Sequence, residues 1–558
     1  MSRPLPILSL VLALTAACEP RAPDDAPVAA SPTTVVPSGE PGVAYEPFTL
    51  GALELGGDVW PVGLALHEGS LFVADLHGPA LLRVEPSSGA ITERLPVDGF
   101  FPAGLASAGE RLYSTDLHTD RIERLHPAEG RKEWPLPYYQ TWPWAVAASD
   151  EHLFVLDARY RKVVVIDPVD GSEIRSFDAP GSRPSALAWD GAWLWSADVE
   201  RRELFRIDPK TGWVVHRVPS PAVYPSGIAV DGDELLVSDL QAGRVFRVRP
   251  YAEAPWVEDQ SERYRVDFRM DLAAIGTGEI ADIRASLAIP ETRPGQRILG
   301  DLRFDPKPVA IETEPSGQRF AVFHLDSLPA GERAQVKMSV DVEVSRVMFQ
   351  IDPDQVAAPP DPLPSDLALS LEDGRKYQLD SKTIAEQTTA ALGDETRPYF
   401  RTRAIYEALA DSIEYDRTGG WGAAPTVLER GTGSCSEYTF ALVAMLRSAG
   451  IPTRYVGAMV KRGPDAGVDF VYHRWAEVWF GEPWGWVPVD ANHGASEKPE
   501  VRGDAFGSLK GRYLVTTVSY GESEHLDWSY NYDVRYEVVG EARLESETLA
   551  VWTKSDAE

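Results

Sequence analysis

Three residues in the last third of the chain have side chains that together support nucleophilic chemistry: Cys435, His473 and Asp490. Cys435 follows a run of small residues and precedes an apolar segment, a position that predicts a helix start with Ser434 as its N-cap. Backbone N–H groups and the helix dipole at such a start stabilise an anion, and therefore the nucleophilic thiolate. The alternative for Cys435 alone is a small buried hydrophobic residue.

His473 and Asp490 lie on two predicted strands that form a hairpin. Residues 468–480 alternate in the manner of a strand, a turn follows at 481–485, and a second strand covers 486–490. Such a hairpin can place the carboxylate against one imidazole nitrogen while the other nitrogen faces the thiol. Asp490 would hold the tautomer of His473, and His473 would accept and return the proton. Taken singly, a structural histidine and a strand-end turn residue are the alternatives.

Helices are predicted around this region. Residues 381–392 form one, and a second has Pro398 in its first turn. The helix that starts at Cys435 is apolar on nearly every side, so we expect it to be buried, and Gly450 ends it.

Together these motifs resemble the transglutaminase-like (transglutaminase core) superfamily, within the wider papain-like thiol fold. The resemblance covers about residues 398–492 and rests on five segments: Ala404 to Tyr415, Gly433 to Cys435, Leu446 to Gly457, His473 to Trp479, and Trp486 to Asp490. It implies an α+β domain, a Cys435–His473–Asp490 triad with acyl-thioester chemistry, and no cofactor or metal. Family members include transamidating enzymes, peptidases, amidases and inactive relatives, so the outcome of the reaction stays open.

Four further residues are candidates for the substrate cleft: Trp421, Ser434, Trp475 and His493. Trp421 either walls the cleft or belongs to the core. The sequence after Asp490 departs from the family, which more often continues with a proline-containing turn, so His493 either lines the site or is only exposed. The backbone N–H of Cys435 is a predicted oxyanion donor, and we expect the polar stretch 492–507 to form a rim.

An internal repeat of 41 residues follows the N-terminal segment. Proline recurs at positions 61, 102, 143, 184 and 225, and each unit contains four short strand patterns, which is typical of a β-propeller blade. Five units predict about five blades, and residues 48–55 have the pattern of a fourth strand that completes the blade begun at Pro225. Whether the chain contains a sixth, diverged blade stays open. The units resemble NHL and YVTN-type propellers, a likeness of fold and not of function.

Two sets of side chains recur with this repeat. Aspartate stands at positions 75, 116, 157, 198 and 239, where a turn-closing role is favoured over a metal or catalytic ring. Aromatic residues gather at the starts of successive first strands: Phe100, Phe101, Tyr138, Tyr139, Trp142, Trp144 and Tyr224. They predict either a face that holds a peptide or glycan by stacking, or packing between blades.

The pattern of strands, turns and linkers predicts the domain organisation. The propeller covers 46–250, a β-sandwich 262–355, a linker 356–370, and the transglutaminase-like domain 371–558, with a shorter linker at 251–261. We expect strands near 511–518 and 532–539 to complete the sheet of the last domain.

Residues 1–18 predict export. A short apolar run after Arg3 is too short to span a bilayer and ends in small residues before Cys18. This end resembles a bacterial lipoprotein lipobox, which implies lipidation of Cys18 and anchoring in the cell envelope. The alternative is an ordinary signal peptidase cut near Ala17 and a soluble secreted protein. Residues 19–45 are rich in Pro, Ala, Ser and Thr and predict a flexible tether.

The net charge limits the classes of direct partner, and the cysteine content indicates the redox compartment. The 558 residues have a net charge of −31 at pH 7, which disfavours nucleic acid and anionic lipid as direct partners. With Cys18 lipidated, Cys435 is the only free thiol, which suits an oxidising compartment. The sequence thus predicts a multidomain, exported thiol enzyme that acts on an amide of a protein or peptide, with hydrolysis favoured over transamidation and the propeller as a recognition module. The alternative is a catalytically idle envelope scaffold whose propeller binds a protein or glycan.

Overall fold

The computed structural model describes residues 46–56, 58–97, 99–136, 138, 142–417, 421–464 and 466–555. It contains, in chain order, a propeller of five four-stranded sheets, a large antiparallel sheet and a smaller α/β domain. The predicted multidomain fold class is confirmed. The predicted signal peptide, the lipidation site Cys18 and the tether lie outside the described residues. No helix in the described part of the chain is long and apolar enough to cross a membrane.

Twenty short strands build the five blades of the propeller. Blade 5 ends with β1 (Thr49–Glu54). Blade 1 contains β2 (Pro61–His67), β3 (Ser70–Asp75), β4 (Ala80–Val84) and β5 (Ile91–Pro96), and blade 2 contains β6 (Pro102–Ala108), β7 (Arg111–Asp116), β8 (Arg121–Leu125) and β9 (Lys132–Pro135). Blade 3 contains β10 (Pro143–Ala148), β11 (Leu153–Asp157), β12 (Lys162–Ile166) and β13 (Glu173–Asp178), and blade 4 contains β14 (Pro184–Trp189), β15 (Leu194–Asp198), β16 (Glu203–Ile207) and β17 (Val214–Pro219). Blade 5 begins with β18 (Pro225–Asp231), β19 (Glu234–Asp239) and β20 (Arg244–Val248).

The propeller closes through β1. This strand pairs antiparallel with β20, with Ala52 opposite Phe246, so the prediction that residues 48–55 complete the last blade is confirmed. Strands β2, β6, β10, β14 and β18 contact one another in cyclic order, which makes them the innermost strands around the central axis. Glycine is required where they approach closely, since a Cβ on Gly63 would lie 1.9 Å from the carbonyl oxygen of Ala103.

The recurring aspartates close turns, as the favoured interpretation predicts. Asp75 Oδ1 accepts hydrogen bonds from the backbone N–H groups of Trp60 at 3.0 Å and His77 at 3.1 Å. In blade 5, Asp239 accepts the N–H of Val223 at 2.7 Å. The carboxylates therefore satisfy backbone donors at the end of each blade where the innermost strand begins.

The aromatic residues predicted at the blade starts divide into two groups. Phe100 and Tyr138 are buried, and Trp144 packs against an apolar cluster between blades, as the packing alternative predicts. Phe101 and Trp142 are exposed. Of the remaining two, Tyr224 is half-buried and Tyr139 lies outside the described residues.

The second part of the chain is a large antiparallel sheet. The region predicted as a β-sandwich at 262–355 is built from one continuous hydrogen-bonded sheet, whose strands in this region follow the order β22-β25-β21-β24-β23. The strands are β21 (Trp256–Ala288), β22 (Gln296–Asp305), β23 (Ala310–Thr313), β24 (Arg319–Pro329) and β25 (Arg333–Phe349). Because β21 begins at Trp256, half of the segment predicted as a linker at 251–261 belongs to a strand.

The third part combines helices with a four-stranded sheet. Its helices are α1 (Ser365–Ala368), followed by a 3-10 turn at Leu369–Leu371, α2 (Lys382–Leu392), α3 (Pro398–Ser412), α4 (Ala424–Arg430), α5 (Cys435–Ser448) and α6 (Pro499–Asp504). The strands of this sheet are β28 (Thr453–Val460), β30 (His473–Trp479), β31 (Trp486–Val489) and β33 (Tyr513–Ser519). The short strands β26 (Glu414–Tyr415) and β27 (Thr432–Gly433) pair with each other, and β29 (Ala466–Asp469) and β32 (Ser508–Leu509) pair with strands of the large sheet. The sheet order is β31-β30-β28-β33, and the buried helix α5 packs against β30 and β28.

The last strand, β34 (Tyr532–Lys554), corrects the predicted extent of the transglutaminase-like domain. It pairs along β21, with Tyr264 opposite Lys554 and Leu287 opposite Tyr532. The prediction that this strand completes the sheet of a domain at 371–558 is therefore wrong. Without β34, one edge of the long strand β21 would leave its N–H and C=O groups unpaired over most of its length, and β34 removes that cost.

The large sheet also covers the edge strand β33 of the smaller sheet. The Gln296 side chain pairs with the backbone of Val515: its Nε2 donates to the carbonyl at 3.0 Å, and its Oε1 accepts the N–H at 2.6 Å. Gln318 Oε1 accepts the N–H of Val518 at 2.8 Å. Side-chain amides therefore satisfy backbone groups that an edge strand otherwise exposes.

Blade 4 of the propeller packs against the α/β domain. Trp193 and Val215 belong to the same apolar cluster as Phe400 of α3, and the Trp193 and Phe400 rings stack with centroids 6.0 Å apart. Arg217 of β17 forms an ion pair with Asp504 of α6. The propeller therefore shares a core with the domain that it precedes.

Candidate active site

The loop before α5 makes Cys435 the first residue of the helix. Ser434 is the N-cap, as predicted, and forms a capping box in which the Glu437 carboxylate accepts the Ser434 N–H at 2.9 Å. The Cys435 side chain is buried. The thiol therefore stands at the positive end of the helix dipole, where an anion is stabilised.

Glu437 also links the start of α5 to the loop that contains Trp421. Its buried carboxylate accepts the Gly422 N–H at 2.8 Å and pairs with Arg430 of α4 at 3.0 Å. One carboxylate therefore holds the helix cap, the loop and the preceding helix. The sequence prediction missed Glu437, although its position three residues after Ser434 is the signature of a capping box.

The chain enters β30 through a bend, which corrects the single strand predicted at 468–480. Strand β29 ends at Asp469, β30 begins at His473, and Tyr472 between them has a φ of 60°. Asp469 stabilises this left-handed conformation, since its Oδ1 accepts the N–H groups of Val471 at 3.2 Å and Tyr472 at 3.1 Å. The position of His473 therefore depends on a buried carboxylate four residues earlier.

His473 and Asp490 are in direct contact, as the hairpin predicts. His473 Nε2 lies 2.6 Å from Asp490 Oδ2, and both side chains are largely buried. Asp490 Oδ1 accepts the backbone N–H of His493 at 3.0 Å. Burial raises the pKa of the Asp490 carboxyl, but the charge and hydrogen bond of His473, with the contribution of His493, hold that pKa below its ordinary value of 3.8. Asp490 is therefore ionised at neutral pH, and each of its two carboxylate oxygens accepts a hydrogen bond.

Aromatic rings surround the imidazole of His473. The Tyr513 ring stacks on it, with centroids 5.8 Å apart and an interplanar angle of 23°, and the Trp475 ring lies 5.8 Å away. Trp475 is 1% exposed, so it supports His473 from within the core and cannot wall an open cleft. This corrects the prediction for Trp475. Tyr513 was missed because no local pattern connects its strand with His473.

Trp421 lies beside the start of α5 with its side chain 42% exposed. Its ring stacks on Tyr530, with centroids 6.2 Å apart and an interplanar angle of 19°. The backbone carbonyl of Trp421 accepts a hydrogen bond from Lys376. An exposed indole stacked on Tyr530, in a loop that Glu437 joins to the start of α5, is compatible with the predicted cleft wall, which stays a prediction.

A buried arginine lies behind Trp421. The Arg474 guanidinium is surrounded by four aromatic rings, with centroids 4.2 to 5.3 Å from its central carbon: Trp421, Phe440, Tyr455 and Tyr530. It donates to the Trp528 carbonyl at 2.8 Å, and its Nε and Nη1 have no hydrogen-bond partner among the described residues. Cation–π contacts therefore offset the burial of this charge. The sequence prediction missed Arg474, because a charged residue on a strand usually faces solvent.

His493 adjoins the buried pair, and its side chain is half-buried. Burial lowers the pKa of the His493 imidazole below its ordinary value of 6.5, and the charges of Lys510 and Arg512 lower it further, against the opposing effect of Asp490. The imidazole is therefore neutral at pH 7. Of the two predicted alternatives, a position beside the site fits this environment better than simple exposure.

The stretch 492–507, predicted as a polar rim, contains α6 and packs against the propeller. Glu500 accepts the backbone N–H of Gly181 at 3.0 Å in a buried contact. At the end of α6, the carbonyl of Ala505 accepts the backbone N–H of Asp490 at 2.9 Å. The rim prediction is wrong for α6, because its acidic residues find buried partners on blade 4.

The described part of the chain contains one cysteine, Cys435, since Cys18 lies outside it. Within that same part, no group of three or more His, Cys, Asp or Glu side chains is arranged to hold a metal ion.

Several solved structures overlap with parts of this chain. Glutaminyl cyclase from Myxococcus xanthus is 20% identical, with a TM-score of 0.33 over 36% of this chain and 94% of that chain. A Cytophaga hutchinsonii protein described as a candidate cysteine protease is 16% identical, with a TM-score of 0.38 over 54% of this chain and 94% of that chain. Virginiamycin B lyase from Staphylococcus aureus is 19% identical, with a TM-score of 0.25 over 35% of this chain and 67% of that chain. At these scores the overlaps carry no functional inference.

The family of the α/β domain follows from its sequence. No curated protein matches the chain. Residues 382–491 match the family model described as the transglutaminase-like superfamily, whose members are generally cysteine-dependent enzymes. The matched segment includes the start of α5 and the hairpin of β30 and β31. The part of the chain that contains Cys435, His473 and Asp490 is therefore a transglutaminase-like domain.

Proposed function

We propose that this chain is an exported thiol enzyme that acts on amide bonds through Cys435, His473 and Asp490. The observation that carries the proposal is the buried contact of 2.6 Å between His473 Nε2 and Asp490 Oδ2. An ionised carboxylate fixes the orientation and tautomer of the imidazole, on a strand that packs against the helix starting at Cys435. A buried carboxylate whose pKa is lowered by a histidine partner is typical of active sites.

The first half of the proposed reaction forms a thioester. His473 Nδ1 accepts the proton of the Cys435 thiol, and the sulfur attacks the amide carbonyl carbon. As the tetrahedral intermediate collapses, the carbon–nitrogen bond breaks, and the imidazolium gives its proton to the leaving amine. Asp490 stays ionised and stabilises the imidazolium through Nε2–H, while the Cys435 backbone N–H is the proposed donor to the oxyanion.

The second half releases the acyl group. Water gives a proton to His473 and adds its oxygen to the thioester carbon, the carbon–sulfur bond breaks, and the thiol re-forms as the acid departs. An amine in place of water gives transamidation. We favour hydrolysis, because water is abundant and nothing in the sequence marks a separate amine site.

The competing function is a catalytically idle envelope scaffold whose propeller binds a protein or glycan partner. One observation favours it: the Cys435 side chain is buried in the structure. The two functions differ in the reactivity that they require of this thiol.

Alkylation of Cys435 by iodoacetamide over a range of pH separates the two functions. In the full chain with Cys18→Ser, Cys435 is the only thiol, because the sequence has two cysteines. We expect fast alkylation well below pH ~8.5, the ordinary value for a free thiol, and slower alkylation when His473→Ala is added. A protected thiol, or one that titrates as an ordinary cysteine in both proteins, contradicts the enzyme and supports the scaffold.

We further propose that Cys18 is lipidated and anchors the protein in a bacterial cell envelope. The support is the short apolar run that ends in small residues directly before Cys18. Growth of expressing bacteria with radioactive palmitate should label the wild-type protein and leave Cys18→Ala unlabelled. A secreted, unlabelled wild-type protein would instead support ordinary signal peptidase cleavage.

A further inference from the structure

One face of the propeller presents an equivalent side chain from every blade. The five residues directly before the innermost strands are spaced by 41 positions: Trp60, Phe101, Trp142, Arg183 and Tyr224. Because the innermost strands surround the central axis and begin at the same face, these side chains surround the mouth of the axis. We call these five residues the axial ring.

Exposure distinguishes three members of the axial ring from most of the other aromatic residues of the propeller. Trp60 is 47%, Phe101 45% and Trp142 57% exposed. Among propeller residues with described side chains, the only other exposed Trp, Tyr or Phe is Tyr160, which follows β11 at the same face. Single exposed aromatic residues are common, but their recurrence at one position of successive blades marks a binding surface.

Polar groups accompany the exposed rings. Trp60 stacks on the imidazole of His77, with centroids 5.1 Å apart and an interplanar angle of 29°. In the next blade, Phe101 faces His118 at 6.1 Å. These two flat apolar surfaces are therefore bordered by nitrogen atoms that can form hydrogen bonds.

Charges in the axial ring are compensated locally. The Arg183 guanidinium lies 5.0 Å from the centroid of Tyr224 and donates to its hydroxyl at 2.8 Å. Arg183 also lies 3.7 Å from the carboxylate of Glu200. This part of the surface therefore offers hydrogen bonds without a strong net charge.

A carbohydrate chain fits this combination better than a protein or a charged polymer. A pyranose has a C–H face that stacks on an aromatic ring and hydroxyl edges that bind polar groups. A protein partner requires a contiguous apolar centre, whereas here His77 and His118 lie beside two of the exposed rings and Arg183 lies beside Tyr224. An anionic polymer is disfavoured by the net charge of −31.

The axial ring is continuous with the interface to the α/β domain. Arg183 lies two residues from Gly181, whose backbone N–H binds Glu500 of α6. The residue after α6, Ala505, binds the backbone N–H of Asp490. A polymer on this face can therefore extend towards the segment that adjoins the candidate active site.

We propose that the axial ring binds a neutral chain of β-linked pyranose units. This binding site goes beyond the proposed enzyme and does not depend on it. Where both proposals hold, the substrate is a glycan that carries amide-linked groups.

Isothermal titration calorimetry of the full chain with chitohexaose and with cellohexaose tests the site. We expect at least one hexasaccharide to bind. Trp60→Ala, Phe101→Ala and Trp142→Ala should each weaken binding about two- to ten-fold, because one aromatic contact contributes ~0.5–1.5 kcal/mol. Tyr536→Ala removes an exposed ring from β34 of the large sheet and should leave binding unchanged.

The outcomes of this experiment are distinct. Failure of both hexasaccharides to bind at millimolar concentration, or binding that survives the triple alanine variant, overturns the proposal. Binding of a proline-rich peptide or of tetramethylammonium through the same residues, with no binding of either sugar, also overturns it and assigns the ring to another ligand. Cys435→Ala should retain sugar binding, so a failure of the proposed catalysis leaves this result unaffected.

Discussion

Replacement of Asp490 by asparagine tests the proposed catalytic base. In the native protein both carboxylate oxygens accept hydrogen bonds, Oδ2 from His473 Nε2 at 2.6 Å and Oδ1 from the His493 N–H at 3.0 Å. Asparagine has the same shape but replaces one acceptor oxygen by an NH2 donor. Asp490→Asn therefore removes the acceptor oxygen from one of the two positions, whichever way the amide is turned.

The two orientations of the amide differ in their effect on His473. With the NH2 group towards His473, Nε2 must accept, so the proton moves to Nδ1, where the ring can no longer take a proton from Cys435. With the oxygen towards His473, the tautomer is preserved, but the buried N–H of His493 faces another donor, which costs about 1–3 kcal/mol. Both orientations lose the negative charge that stabilises the imidazolium.

The lost charge sets the size of the expected effect. A hydrogen bond to a charged group contributes about 1.5–3 kcal/mol, and ~1.36 kcal/mol corresponds to a factor of ten. Asp490→Asn should therefore lower the equilibrium constant for the thiolate–imidazolium pair of Cys435 and His473 by about 10- to 150-fold. The alkylation profile should move towards that of an ordinary thiol by roughly one to two pH units.

Iodoacetamide alkylation between pH 4 and pH 9, in the Cys18→Ser background, measures this shift. Asp504→Asn is a matched control, because it makes the same change in a neighbouring carboxylate that pairs with Arg201 and Arg217 of the propeller. The control should lose stability and keep the native alkylation profile. If Asp490→Asn melts normally and keeps the native profile, Asp490 does not orient a catalytic base.

Three further changes have defined outcomes. Glu437→Gln removes one of two acceptor oxygens at the cap of α5, so the free energy of unfolding should fall by about 1–3 kcal/mol. Urea denaturation should show this as a lower midpoint with an unchanged slope. An unchanged midpoint would contradict the expected loss of stability. Arg217→Met removes one partner of the Asp504 carboxylate at the interface between the propeller and the α/β domain. It should lower the melting temperature more than Arg131→Met, because the ion pair of Arg131 is exposed. Equal shifts in melting temperature would mean that the interface ion pair does not contribute more to stability than the exposed pair. Burial lowers the pKa of His216 from 6.5 to about 3; between these values only the unfolded state binds the proton, so stability should drop by up to roughly 5 kcal/mol as the pH falls. In acid unfolding followed by circular dichroism, His216→Gln should flatten this part of the curve, and an unchanged slope would exclude His216 as its source.

The local parts of the site were predictable because a few neighbouring residues encode each of them. Small residues before an apolar run place Cys435 at a helix start, and the hairpin with His473 and Asp490 follows from alternation around one turn. The blades were predictable because the same turn residues recur at a fixed spacing. The bend at Tyr472 was not, since its left-handed conformation depends on the buried carboxylate of Asp469 rather than on a turn-forming residue at that position.

Long-range pairing limited the rest of the prediction. The alternating pattern of β34 is compatible with any exposed sheet edge, and only the length of β21 explains why it pairs there. From the sequence alone, Glu500 and Asp504 look like solvent-exposed acids on a short helix. Their partners, Gly181 and Arg217, lie on blade 4 and are distant in the sequence. Arg474 is similar, because its four aromatic neighbours come from distant segments.

The interface with blade 4 decides how the role of the propeller is best tested. Deletion of residues 46–250 would expose Phe400 and leave Glu500 without its partner, on a segment that also binds the backbone of Asp490 through Ala505. Loss of activity in such a deletion therefore cannot separate recognition from damage to the site. The triple alanine variant of the axial ring leaves this interface intact. If it keeps turnover of a small amide and loses turnover of a glycan-linked amide, recognition belongs to the propeller face; equal loss on both substrates would mean that the change reaches the catalytic residues through α6.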